Sequence, residues 1–364
     1  MKINRNNEII AYLNKLNDIN DLNMSLGDMF LSIINNDKII SKQEIDIFLK
    51  KFNTNAVDII TDKCLDYWDI DLNDEDNGEL IDKYFKGHIK QCDEKEYLEN
   101  PYYKNIVIKN IQEGRYGLKN DHYFPYEIFA LDDIKVDNEF VEHSSLGFFK
   151  DKFPFIALNE NNVTWMSITP NEINTMKNGI NAAEGDVLVY GLGLGYYAYM
   201  VSIKEKVKSV TIIEKDQNII DIFNKYIYPQ FKNKEKIKII KSDALNYKFN
   251  DGDFDLLFID LWKTPEDGIS FFLNFKKMEK NYHKTKFIYW LNNSFYALIR
   301  RATITLLLEQ LEGYKEEQYH LSNCPYDDLI NELFRKTKNL QFDSANQIRD
   351  LLSDDSLIDL FNLN

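Results

Sequence analysis

Apolar residues recur along this chain at two different periods, and the points where the period changes divide it. Over the first hundred or so residues they fall three and four apart. SKQEIDIFLKKF places Ile45, Phe48 and Leu49 on one helical face, behind a Ser41 and Glu44 pair that fits a capping box. NAVDIITDKCLDYW and NGELIDKYFKGHI repeat that spacing, so residues 1–110 are expected to form a helical accessory region. Over 111–168 short runs such as FPFIAL and VTWMSI replace it, and Asn161-Asn162 between them suits a two-residue hairpin turn. This segment reads as β-rich. Pro170 then opens a helical pattern, TPNEINTMKNGINAA, closed by Gly185.

From there the pattern alternates. VLVYG, VTIIE, IKIIKSD, FDLLFID and KFIYWL are strands rich in Val, Ile and Leu. AYMVSIKEK, QNIIDIFNKYIYPQF and a stretch from about 267 to 280 are helical. Such alternation predicts an α/β fold over 169–312, a Rossmann-like, doubly wound and mostly parallel sheet covered on both faces. YDDLINELFRKTKN and SANQIRDLLS make 313–364 a C-terminal helical extension.

Composition narrows the function classes. Hydrophobic residues make up 44% of the 364, enough for packed cores. Against 59 Asp and Glu there are 44 Lys and Arg, and the resulting charge of -15 argues against a nucleic-acid substrate. It suits a cationic or neutral partner, or simply solubility. Cys64, Cys92 and Cys324 are far apart and fit a reducing compartment, and the five histidines have no metal-ligand spacing. The acidic run 71–79 fails the EF-hand pattern and is expected to be a solvated loop. MKINRNNEIIAYLNKLNDIN is too polar for a signal peptide. The one long uncharged run, 187–203, contains a GxxxG but is too short to span a bilayer. The expectation is a cytoplasmic protein without membrane attachment.

Candidate chemistry gathers at the ends of the strands, where open α/β sheets bind ligands. After VLVY come Gly191, Gly193 and Gly195, then Tyr196. The third glycine arrives one residue too early for a dinucleotide fingerprint. GxGxG followed by an aromatic instead lets the backbone approach the amino-acid part of S-adenosylmethionine (SAM), although a plain strand–turn–helix also takes glycines. Glu214 closes VTIIE, about twenty residues on, where an acid accepts from ribose hydroxyls. Asp243 and the Ala244 N–H are suited to an adenine edge, and Asp260 to the sulfonium side of the pocket. Each acid alone also fits a cap or a turn, the better reading for Asp216.

As an ordered set, VLVYGLGLGYY, VTIIEKD, KIIKSDALNY and FDLLFID resemble the motifs of class I SAM-dependent methyltransferases, with spermidine-synthase-like proteins the nearest subgroup. The resemblance covers 169–312 and implies SAM as cofactor, bound by Gly191, Gly193, Gly195, Tyr196, Glu214, Asp243, Ala244 and Asp260. Three departures stand out. Val189 replaces the acid that most of the superfamily has, Leu194 stands where spermidine synthases have an aspartate, and DLWK replaces [ND]PPY.

On the acceptor side, Trp262, Tyr197 and Asn292 are candidate substrate contacts, with Trp290 and Asn293 beside the last. Packing explains the aromatics equally well. Thr169, Pro170, Asn171 and Glu172 either close the donor site or simply start a helix. His122 and His143 are candidate bases, but Asp260 is the preferred one. Residues 1–168 are expected to supply a lid or substrate wall. The implied function is methyl transfer from SAM to a small-molecule or peptide-borne acceptor. The alternatives are aminopropyl transfer from decarboxylated SAM to a polyamine, or a non-catalytic SAM-binding scaffold.

Overall fold

The helical period at the N-terminus folds into one long helix, α1 (Asn7–Ile34). The computed structural model describes residues 1–34, 41–71, 74–85, 87–315, 319 and 324–362. Ile9, Leu13 and Leu16 on α1 join the core that contains the large sheet, whereas Leu26, Phe30 and Ile33 enter a second core. That second core is completed by α2 (Lys42–Lys51), α3 (Ala56–Tyr67), α4 (Glu75–Tyr84) and the strands Ile89–Gln91 and Leu146–Phe148. One amphipathic stripe therefore joins two bodies of packed side chains.

Two local expectations are corrected here. Ser41 sits at the N-cap of α2 without a side-chain capping bond, and Glu44 pairs with Lys63 at 3.3 Å. The acidic run 71–79 is helical from Glu75 onward, and Leu72 and Asn73 lie outside the described residues. Two short helices follow, α5 (Glu94–Leu98) and α6 (Pro101–Asn105), the second capped by Asn100 with Pro101 in its first turn.

An antiparallel sheet comes next, from β1 (Ile111–Glu113), β2 (Tyr116–Tyr123), β3 (Phe153–Glu160) and β4 (Val163–Ser167), in the order β4-β3-β2-β1. Asn161 and Asn162 both have positive φ, 51° and 66°, and pair Val163 with Glu160 across a two-residue turn. The asparagine pair acts as its sequence suggests.

After α7 (Pro170–Ala182) the chain builds five strands: β5 (Gly185–Tyr190), β6 (Val207–Glu214), β7 (Ile237–Lys241), β8 (Leu256–Ile259) and β9 (Lys286–Tyr289). Among the described residues they lie in the order β7-β6-β5-β8-β9, with every pair parallel. The fold is thus the expected Rossmann-like, doubly wound α/β sheet. Val187 to Tyr190 and Leu256 to Ile259 are buried without alternation, as central strands covered on both faces must be. The strand order reverses at β5, so its carboxyl end and that of β8 flank the crevice where such sheets take ligands.

The connecting helices are α8 (Tyr196–Ser202), α9 (Gln217–Ile222), α10 (Pro265–Glu279) and α11 (Asn292–Glu312). α9 is shorter than its pattern predicts: it widens into a π turn at Phe223–Ile227 and ends in a 3-10 turn holding Pro229. α12 (Pro325–Thr337), α13 (Ala345–Leu351) and α14 (Asp354–Asn362) follow, and α12 and α14 lie against α10 and α11. Arg300 of α11 fastens them, donating to the Leu352 carbonyl at 2.9 Å and pairing with Asp354. No described helix is long and apolar enough to cross a membrane.

Candidate functional site

The three glycines of the loop play unequal parts. All have positive φ: 96° at Gly191, 52° at Gly193 and 73° at Gly195. A Cβ on Gly191 would stand 2.1 Å from the Asp260 carbonyl oxygen, and one on Gly195 would stand 2.3 Å from the Phe223 ring. These two glycines let β5 press against the end of β8 and the π turn after α9. Gly193 differs. The nearest atom to its would-be Cβ is the Met166 Sδ at 3.7 Å, so the loop backbone is bare there and faces β4 across open space.

Glu214 ends β6 beside that loop and holds it. One carboxylate oxygen accepts from the Leu192 N–H at 3.1 Å, the other from the Asp216 N–H at 2.8 Å. Asp216 itself serves the scaffold, capping α9 through the Asn218 N–H and accepting from the Tyr116 hydroxyl, both at 2.8 Å. Asp243 lies exposed after β7 with its carboxylate on the Leu245 N–H at 2.9 Å, and Ala244 beside it is buried.

Asp260 ends β8. Burial, aided by the negative charge of Glu214, pushes its carboxyl up to about 7. Glu172, in the first turn of α7, is pushed well above the ordinary range by burial and by the Asp260 charge. Neither side chain has a hydrogen-bond or ion-pair partner among the described residues. A chain of indole bonds sets their approach. The Trp290 Nε1 donates to Thr175 Oγ1 at 2.8 Å, one turn beyond Glu172, while the Trp262 Nε1 donates to the Trp290 carbonyl at 3.3 Å. α7 is thereby fastened over the ends of β8 and β9. The carboxyl groups at 172, 214 and 260 do not form a set that could hold a metal ion.

Several sequence candidates have other duties. Tyr197 packs into the core: α8 lays its ring on Phe258 at 3.8 Å between centroids, and its hydroxyl donates to the Gly179 carbonyl at 3.1 Å. Trp262 is likewise buried, edge-on to Phe295 at 4.8 Å. Tyr196 is buried with its hydroxyl accepting from the Asn100 Nδ2 at 2.9 Å; burial, together with the Glu172 charge, pushes its phenol up to about 12. Asn292 begins α11 half-buried, while Asn293 binds the loop at Asp133 and Ile134. His143 is bonded to Asp137 at 3.1 Å and stacked on His88; His122 packs on Phe124.

What residue patterns did not reveal is the far wall. Met166 faces Gly193, Trp165 stacks on Tyr116 at 5.7 Å, and the Lys263 ammonium lies 5.6 Å from the Trp165 ring. These contacts bring the antiparallel sheet and the loop after β8 together beside the glycines. They join residues far apart along the chain, and no local spacing announces them.

No protein-family model matches the chain, and no curated protein matches it. Solved structures with partial likeness include spermidine synthase from Thermotoga maritima, at 17% identity over 41% of this chain and 58% of that one, TM-score 0.29. A dimethyladenosine transferase from Plasmodium falciparum shares 21% identity over 33% of this chain and 39% of its own, TM-score 0.24. Phosphoethanolamine N-methyltransferase 1 from Haemonchus contortus, solved with phosphoethanolamine and S-adenosylhomocysteine, shares 19% over 28% and 20%, TM-score 0.21. The chain thus spans 58% of the length of the spermidine synthase it resembles.

Proposed function

We propose that the protein is a SAM-dependent methyltransferase acting on a small-molecule or peptide-borne amine. The observation that carries this is the row of groups at successive strand ends: bare backbone at Gly193, Glu214 on β6, Asp243 and Ala244 after β7, and Asp260 on β8. Glu214 and Asp243 would take the ribose and adenine, and Gly193 the amino-acid part. Tyr196 would close that end through its link to Asn100. When bound, SAM supplies an electrophilic methyl group. What the chain itself contributes is then alignment and exclusion of water. An amine that arrives protonated must lose a proton before it attacks, and Asp260 is the acceptor we assign.

A second reading is favoured by one observation. Glu172 and Asp260 bring two carboxyl groups to the sulfonium side with no hydrogen-bond or ion-pair partner among the described residues, and a cationic amine bound there would favour their ionised forms. Such a wall disfavours the carboxylate of SAM and suits decarboxylated SAM with a polyamine acceptor. Leu194 weighs against it, since its side chain is buried where an aspartate would be expected.

Isothermal titration calorimetry with SAM, decarboxylated SAM and NAD decides between these. Tight binding of SAM alone supports methyl transfer and leads to a screen of labelled methyl transfer onto amines. Preference for the decarboxylated form moves the assignment to aminopropyl transfer. Binding of neither by folded protein removes both.

A further inference from the structure

The short helix α6 lies far from the glycine loop in sequence, yet it bonds directly to it. The Tyr102 hydroxyl donates to the Leu194 carbonyl at 2.6 Å, and Tyr102 is fully buried. Two residues earlier, the Asn100 Nδ2 donates to the Tyr196 hydroxyl at 2.9 Å, while its Oδ1 caps α6 on the Tyr102 N–H at 2.9 Å. The Tyr102 ring meets Tyr196 and Tyr199 edge-on, both at 5.5 Å between centroids. Around this point the strap is fixed at three other places. Tyr103 donates to the Ile168 carbonyl just before α7, Tyr97 accepts from Asn174 at 3.2 Å, and the Val107 backbone pairs with the Gln230 side chain.

We propose that Asn100 and Tyr102 are positioning residues for the donor, holding the glycine loop in its left-handed course from outside the parallel-sheet unit. The assignment rests on the donor site proposed above. Within the loop, the Leu192 N–H is held by Glu214 on one side and the Leu194 carbonyl by Tyr102 on the other. Gly193 lies between these two bonds, so its bare backbone is stretched between a carboxylate and a phenol. Loss of either anchor lets the intervening peptide turn, and a glycine has no side chain to resist that. The strap therefore acts on the part of the site that meets the amino-acid end of the donor. Ribose and adenine lie with Glu214 and Asp243, which it does not touch.

That division supplies a test insensitive to simple destabilisation. SAM and 5′-methylthioadenosine share the adenosine, but only SAM carries the amino-acid part. Calorimetry is run with both ligands on wild type, Tyr102→Phe, Asn100→Ser and Tyr282→Phe. Serine still caps a helix but cannot reach Tyr196. Tyr282 makes a comparable hydroxyl-to-carbonyl bond, to Phe249 at 2.9 Å, ahead of β8 at the opposite end of the sheet. The expected result is a loss of SAM affinity of about three- to tenfold in the first two variants, the size of one hydrogen bond. Methylthioadenosine affinity stays unchanged, and Tyr282→Phe binds both as wild type does. Equal weakening of both ligands, or no weakening of either, overturns the positioning role. Should Tyr102→Phe not fold, Asn100→Ser decides alone. Wild type that binds methylthioadenosine but not SAM sinks both the strap and the SAM assignment. Wild type that binds neither removes the donor site itself, a failure visible before any variant is compared.

Discussion

The Met166 Sδ stands 3.7 Å from the place a Cβ on Gly193 would occupy, and nothing else beyond the flanking residues lies within 4 Å. The gap is bounded on one side by the loop backbone and on the other by β4. A methyl group there would not collide with protein, but it would fill the face offered to a ligand. Gly193→Ala is expected to fold with a penalty of roughly 1–2 kcal/mol, the cost of a left-handed alanine. It should also lose at least about tenfold in SAM affinity, or about 1.4 kcal/mol. Calorimetry on the folded variant checks this. Wild-type affinity would mean that Gly193 does not face the donor.

Glu214 is doubly committed, to Leu192 and to Asp216. Replacing it with Gln keeps the shape, but one acceptor oxygen becomes an NH2 that must face a backbone N–H. One buried donor is left without a partner, at a cost of about 1–3 kcal/mol. As the proposed ribose acceptor it weakens as well. We expect wild type to prefer adenosine over 2′-deoxyadenosine and Glu214→Gln to lose that preference. A variant that retained the full preference would show that Glu214 does not read the ribose.

These two positions also mark how far the sequence was legible. The strand-end residues were visible because a parallel sheet repeats one local pattern, and each loop falls at a fixed place relative to its strand. The asparagine turn at 161–162 was visible for a similar reason, since both residues tolerate positive φ. Glu172 was read as either closing the donor site or starting a helix, and nothing tied it to Asp260, because that approach depends on the Thr175–Trp290–Trp262 chain and on no spacing within TPNE. Met166, Asn100 and Tyr102 reach the glycine loop through tertiary packing alone. The burial of Tyr197 and Trp262 was illegible for the converse reason: an aromatic beside a ligand loop looks the same in sequence whether its ring turns outward or into the core.

Tyr197 gives a direct check on that last point. Its hydroxyl donates to the Gly179 carbonyl, and its ring lies flat on Phe258. Tyr197→Phe keeps the stacking and removes one buried hydrogen bond. The Gly179 carbonyl keeps the Ala183 N–H, so we expect about 0.5–1.5 kcal/mol of lost stability, seen as a lower Tm, with SAM affinity unchanged. Loss of SAM affinity at unchanged Tm would return Tyr197 to the ligand site.

Asp260 makes the site sensitive to pH. Its carboxyl is held up to about 7 by burial and by the Glu214 charge, against an ordinary value of 3.8. The folded chain therefore keeps a proton that the unfolded chain has already released. Stability from this group is fully present below 3.8, declines as pH rises toward 7, and is lost above it. Glu172 acts in the same direction. Asparagine at 260 cannot ionise, so Asp260→Asn should gain in Tm relative to wild type between pH 5 and pH 8. A Tm difference that stays constant across that range would mean Asp260 titrates as an ordinary carboxylate. For catalysis the sign is opposite. A base must be ionised to accept a proton, so transfer to a protonated amine should increase as pH rises through 7 in wild type. In Asp260→Asn it should be slow throughout, although that protein is the more stable of the two above pH 7. Stability and turnover moving apart in this way would identify the carboxylate as a group kept for chemistry at the expense of the fold.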